Sequence, residues 1–354
     1  MEAYQALLLV SFGAPERRED VMPFLRRVTA GRGIPEKRIE QVAEHYYAAG
    51  GASPLNARCR ELMEALRPGL AEMGLRLYWG NRNWHPLLDD TLAEMADDGV
   101  QRALAFVTSA YAGYSSCRQY LDDIASARLR AGANAPAVDK LRLYYNHPGW
   151  VGPWAENLAR ALAPFSARAR VSRTKTRPPG NDLRVDNVGP DDAGPDDVEI
   201  VFTAHSVPMA MAASSPYAEQ LTETAHLVAE QAGVASWRLA WQSRSGPPSS
   251  PWLEPDIRDV IMGSPASTVV VAPIGFVCDN MEIVHDLDVE AATVAKEKGA
   301  NLVRVPSVSD SPVFVKMVLQ LVQERLDPGV PRLSVGSYGP WPDHCPWDHC
   351  PRER

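Results

Sequence analysis

The chain has 354 residues, 45% of them hydrophobic and 23% charged, an ordinary soluble composition and enough length for two cores. A net charge of -8 and an isoelectric point near 5.6 argue against a general nucleic-acid binder, and no apolar run is long enough to span a bilayer. Five cysteines at scattered spacings make no disulfide framework, so a cytoplasmic location is expected.

The first apolar run, residues 6–12, lacks a basic leader and a small-residue cleavage site, so it reads as a buried strand and not a signal peptide. Gly13-Ala14-Pro15 closes it. Helical patterns follow at about 16–28, 36–47 and 54–70, a strand at 75–79, a helix at 87–95 and a strand at 102–108. A helix at 115–129 and a fourth strand at 141–145 complete the first half. Each strand leads into a helix, the rhythm of a parallel sheet covered on both faces.

A helix after Trp150 runs to about 165, and residues 167–197, rich in Arg, Pro, Gly and Asp, read as a long surface insertion. The rhythm then repeats, with strands at 198–203, 237–241, 268–272 and 302–305 and helices at 217–231, 256–262, 282–298 and 312–325. This predicts an α/β protein of two Rossmann-like, doubly wound domains, 1–150 and 151–326, with a cleft between them. Residues 327–354 form an irregular tail rich in Cys, Pro and Trp. No repeat is visible at the residue level.

Three strand ends stand out. The Ser11–Pro15 turn has no GxGxxG pattern, so a dinucleotide phosphate site is not expected there. His205 follows directly on an apolar strand, and its ring nitrogen can ligate a metal or take a proton near neutral pH. The stretch is read equally well as a hydrogen-bonded His in a strand-end turn. Glu282, Asp286 and Glu290 recur at every fourth position, in line on one helix face behind a cap at Asp279 or Asn280. A solvated acidic face is the plain alternative. Position favours a route for a cation or for protons, because the line starts where a strand ends, and open α/β sheets bind ligands there. One His and one Glu are too sparse for a structural zinc site and suit a metal passed on. Tyr46, Tyr111, Tyr114, Tyr120 and Trp241 offer a slot for a flat aromatic ligand, with Arg26, Arg27, Arg32 and His45 for its acidic substituents.

Several long motifs then fall in one order between residues 7 and 326: LLVSFGAP, GGASPLN, TAHSVP, AWQSRSGPPSSPWLEPDI and PIGFVCDNMEIVHDLD. In these the chain resembles the ferrochelatases, and more narrowly the coproporphyrin ferrochelatases of Gram-positive bacteria. The resemblance implies a class II chelatase-like fold and insertion of ferrous iron into coproporphyrin III, with release of two protons. It places the catalytic and metal-binding pair on His205 and Glu282, and a proton or metal relay on Asp286 and Glu290. Porphyrin contacts fall on Ser53 and Tyr120 with Tyr46 nearby, and Phe12, Arg32 and Trp241 join that wall. Phe12 stands where many relatives have Tyr, Asn280 where they have His, and His45 where they have Arg. Actinobacterial relatives often carry a [2Fe–2S] cluster on one internal and three tail cysteines; this tail offers Cys345 and Cys350, so the counts differ from that pattern. The rival readings are a chelatase for another tetrapyrrole, protoporphyrin or sirohydrochlorin, and a non-catalytic porphyrin carrier. Phe12 cannot ligate iron, which favours catalysis with product release over carriage. A monomer is the default expectation.

Overall fold

The strands β1 (Ala6–Ser11), β2 (Arg76–Asn81), β3 (Arg102–Val107) and β4 (Ala137–Lys140) pair in the order β2-β1-β3-β4, all parallel. A second parallel sheet of β5 (Val198–His205), β6 (Arg238–Gln242), β7 (Thr268–Ala272) and β8 (Asn301–Arg304) has the order β6-β5-β7-β8. The two orders are the same, so the two halves share a topology that their residues do not display. This is a computed structural model, and it describes residues 3–165, 198–246, 250–345 and 350. The surface insertion expected at 167–197 lies outside those residues.

The helices are α1 (Val21–Thr29), α2 (Glu36–Ala48), α3 (Leu55–Glu72), α4 (Leu88–Asp97), α5 (Gln119–Ala131), α6 (Pro148–Leu162), α7 (Met209–Ala213), α8 (Tyr217–Gln231), α9 (Ile257–Gly263), α10 (Met281–Ile283), α11 (Ala292–Lys298) and α12 (Pro312–Leu326). The inner strands β1 and β7 are buried along their whole length, as near-continuous apolar runs should be when helices cover both faces of a sheet. One core runs through both halves. It joins Leu7, Leu9 and Phe106 to Trp150, Trp154 and Phe314, and these to Phe202 and Val270. Smaller clusters lie on the outer faces, around Leu92 and Ile124 in one half and Ile257 and Leu287 in the other. The last helix, α12, packs on α3 and α6. Among the described residues no helix is long and apolar enough to cross a membrane.

Three boundaries differ from expectation for physical reasons. The run 141–145 is not a strand. Pairing with β3 ends at Lys140, and after one more hydrogen bond, Leu141 N–H to Ala105 O at 2.9 Å, the chain leaves the sheet. Leu141, Leu143, Tyr144 and Tyr145 are buried in the core without pairing, so their apolar character records burial and not a ladder. Strand β5 runs two residues past the expected end and carries His205 as its last member. The expected helix 282–298 is three pieces, α10, a π-helical stretch Val284–Ala291, and α11.

In each half the neighbouring inner strands, β1 and β3 or β5 and β7, send their connections to opposite sides. That topological switch point is where an open α/β sheet leaves a crevice outside its strand ends. The pair β5 and β7 therefore brings His205 together with the loop that leads to Glu282.

Candidate active site

His205 is set by its strand and by two tight neighbours. Gly275, in the loop after β7, lies so close to β5 that a Cβ there would stand 2.5 Å from the Ala204 Cβ. Its N–H donates to Thr203 O at 3.0 Å, which seals the loop against the strand end. The Tyr217 hydroxyl donates to the His205 carbonyl at 3.0 Å. The imidazole Nδ1 meets the carbonyl of Ser206. A carbonyl only accepts, so Nδ1 carries the proton and Nε2 is left to face the cleft.

Nε2 lies 3.5 Å from Glu282 Oε1, and 33% of the His205 side chain and 42% of the Glu282 side chain stay open. Burial favours the neutral ring, but the Glu282 carboxylate, the Ser206 carbonyl and the Asp286 carboxylate outweigh it and raise the His205 pKa to about 9. Asn280 caps the helix by accepting from Ile283 N–H at 3.0 Å, and Asp279 is held by Arg304 at 3.3 Å. Glu282 thus sits in a fixed first turn, and Gln242 Nε2 donates to its carbonyl at 3.3 Å.

Asp286 is the next acid along. Burial raises its pKa to about 7, with further upward pressure from Glu282 and Glu290, against the Ser243 hydroxyl and His205. Ser243 donates to Asp286 Oδ2 from a backbone at φ 64°, a left-handed conformation unusual outside glycine. Glu290 pairs with Arg258 at 3.2 Å and lies 3.4 Å from His285 Nε2.

The other expected porphyrin contacts are spread over both halves, and of those on the first half Tyr46 is near enough to feel the Glu282 charge. Phe12 is exposed beside Phe24, with the Arg82 guanidinium 5.5 Å from its ring centroid. Tyr46 is half-buried, and burial together with the Glu282 charge raises its pKa. Ser53 and Tyr120 are buried, the latter beneath Arg82 at 4.9 Å, and Trp241 is buried against Tyr217. Arg32 is exposed in the turn after α1. Two expected donors are already engaged, Arg26 with Glu36 and His45 in a stack on His285.

The sequence alone missed His285 and Arg258, which join the acidic row, and Cys117. The buried Cys117 thiol is near enough to Cys345 and Cys350 to raise both their pKa values, after burial as the leading cause.

A sequence model described as Ferrochelatase matches residues 4–326. A Rhodopirellula baltica protein named Ferrochelatase is 43% identical, covering 98% of this chain and 93% of its own. A Frankia alni protein named Coproporphyrin III ferrochelatase is 45% identical, covering 98% of this chain and 86% of its own. Among solved structures, the sirohydrochlorin chelatase SirB from Bacillus subtilis subspecies spizizenii, in complex with cobalt, superposes with a TM-score of 0.51 at 10% identity, covering 94% of this chain and 99% of that one. At that identity the likeness speaks for the fold alone.

Proposed function

The chain belongs to the ferrochelatase family, and from that premise we propose that it inserts ferrous iron into coproporphyrin III, releasing two protons and giving iron coproporphyrin. The observation that carries the reading is the His205–Glu282 pair, a partly open imidazole and carboxylate 3.5 Å apart at the β5/β7 switch point. The relatives named for coproporphyrin III narrow the tetrapyrrole.

The chemistry asks for removal of two pyrrole protons while the freed lone pairs turn to the metal. A planar macrocycle presents those lone pairs poorly, so a cleft that distorts the ring favours the transition state. With Nδ1 committed to Ser206, the neutral form of His205 offers a lone pair on Nε2 as proton acceptor or as a passing iron ligand. Glu282 stabilises the imidazolium that proton transfer produces. Asp286, with a pKa of about 7, both takes and gives up a proton near neutral pH and passes it down the helix. Phe12 packs on the macrocycle and leaves the iron free to depart with its product.

Four propionates require donors spread around the rim. Arg32, Tyr46 and Ser53 remain for this on the first half, since Arg26 and His45 have other partners. The cleft serves coproporphyrin in preference to protoporphyrin, which bears two propionates and two vinyls. A side-by-side kcat/KM comparison with both porphyrins under the same detergent tests this, and a preference for protoporphyrin overturns the substrate while leaving the chelatase reading. His205→Ala should abolish insertion with porphyrin binding largely kept; normal turnover in that variant refutes the role of His205.

A [2Fe–2S] cluster takes four protein ligands. Among the described residues Cys117 and Cys345 are near enough to Cys350 to add to the rise that burial gives its pKa, so three thiols are grouped beside the tail. Three thiols are one short of an all-cysteine cluster.

A further inference from the structure

Tyr111 lies in the first half, in the loop after β3, yet its hydroxyl serves the second. It donates to Ile274 O at 2.8 Å, in the loop between β7 and α10 that leads to Glu282. Trp150 Nε1 donates to the same hydroxyl at 3.3 Å, so the phenol oxygen is fixed by a donor on one side and an acceptor on the other. The side chain is buried, and burial raises its pKa, so the proton that makes the bond stays in place. The next residue is held as well: Ala112 N–H donates to Gln220 Oε1 on α8 at 2.7 Å. Tyr111 and Ala112 are therefore bound to two elements of the second half, α8 and the β7–α10 loop.

We propose that Tyr111 is a positioning residue for metal insertion, which fixes from the first half the loop that carries Glu282 and the tyrosine that steadies His205. The inference rests on the chelatase reading above and adds a residue that touches neither metal nor porphyrin. Two successive residues of the loop are gripped from different sides. Gly275 N–H bonds to Thr203 O at 3.0 Å, within the second half, while Ile274 O takes its bond from Tyr111 across the interface. The Tyr111 ring also meets the Tyr217 ring edge to face, with 6.3 Å between centroids and 86° between planes. Tyr217 is the residue whose hydroxyl donates to the His205 carbonyl at 3.0 Å. Each member of the catalytic pair thus has nearby backbone held by a tyrosine, and the two tyrosine rings meet.

A buried hydroxyl needs an acceptor, and any carbonyl within reach satisfies that need. Tyr144 is the plain case: it is buried too, and it donates to Val107 O at 3.0 Å inside its own half. Tyr111 instead bonds to the loop on which the His205–Glu282 distance depends. That distance matters to rate, because a misplacement of about 1 Å at reacting groups can cost about a hundredfold.

The test compares two tyrosines. Tyr111→Phe keeps the ring and removes the donor, and Tyr144→Phe removes a buried hydroxyl that does not touch the catalytic loop. Both should lose similar stability in guanidinium unfolding. Only Tyr111→Phe should lose kcat, by about 10- to 100-fold, with the KM for ferrous iron and for coproporphyrin III within about twofold of wild type. In metal-free protein the His205 ring should titrate at lower pH in Tyr111→Phe, because the pull of Glu282 weakens with distance, and should stay in place in Tyr144→Phe. 4-Aminophenylalanine incorporated at position 111 restores a donor and should recover most of the kcat. An unchanged kcat in Tyr111→Phe overturns the proposal, and so does an equal fall in Tyr144→Phe or a fall that 4-aminophenylalanine leaves in place. If wild type inserts iron into no porphyrin while the His205 titration still moves in Tyr111→Phe alone, the chelatase reading falls and the hold of Tyr111 on the pair stands.

Discussion

At His205 three groups that favour the imidazolium outweigh a burial that opposes it, and the pKa rises from 6.5 to about 9. A raised pKa on a basic group means that the folded state binds the proton more tightly than the unfolded chain. The stabilisation is therefore complete below pH 6.5 and is lost as pH climbs through about 9. The imidazolium cannot take a pyrrole proton, so kcat/KM at low iron should rise over that same interval. Glu282 is the largest of the raising influences, so Glu282→Gln should move the ring titration to lower pH, read by NMR of the His205 ring in metal-free protein. A titration that stays in place would separate the carboxylate from the imidazole. Asp286→Asn should slow insertion less than Glu282→Gln, because Asp286 lies a turn farther from His205; equal losses would mean that the row works as one unit. At the tail, three thiols without a fourth predict a purified protein with no visible iron–sulfur absorbance. A brown protein that bleaches in Cys345→Ser overturns that expectation.

Helix geometry decides which of these residues meet. His205 and Glu282 were legible in the sequence because one ends an apolar strand and the other opens the helix after a later one, and strand ends on a doubly wound sheet converge. The row Glu282, Asp286, Glu290 was legible for a different reason: a spacing of four survives either an α- or a π-helix within a few tens of degrees. His285 was not legible. Its spacing of five to Glu290 means opposite sides in an α-helix, and its stacking partner His45 lies far away in the chain. The apolar run at 141–145 misled in the other direction, since burial and pairing leave the same hydrophobic mark on a short segment. Asn280 has a structural role here: its Oδ1 caps the helix that bears Glu282. Asn280→Ala should cost about 1 kcal/mol of stability, with Asn280→Asp close to wild type. Chemical unfolding measures both, and an alanine variant as stable as the aspartate would show that the cap bears little weight.

Across the whole molecule, the cleft depends on how the two sheets are held, and α12 joins them. It follows β8 in the second half yet packs on α3 and α6, with Phe314 against Phe106 and Tyr144 of the first-half core. At its far end Glu324 takes two bonds from Arg142, at 2.7 and 2.9 Å, with 1% of either side chain exposed. Arg142 also donates to Leu333 O at 2.8 Å, which draws the start of the tail into the same knot. A pair buried this deeply has paid desolvation on both charges, so its net worth is small while the cost of breaking it is large. Glu324→Gln should therefore destabilise the protein by about 3–5 kcal/mol, because an Arg is left buried without its carboxylate. The double replacement Arg142→Met with Glu324→Leu should recover most of that loss, since it removes both charges and keeps the volume. Guanidinium unfolding of the two variants and wild type distinguishes these outcomes. If the double variant is as unstable as the single one, the pair is needed for the fold itself, through its geometry and its hold on the tail, and not merely tolerated within it. Coproporphyrin affinity measured on the stable double variant then asks whether the anchor also sets the width of the cleft. Weaker binding at unchanged stability would place Arg142 and Glu324 among the residues that position His205 and Glu282 opposite Tyr46.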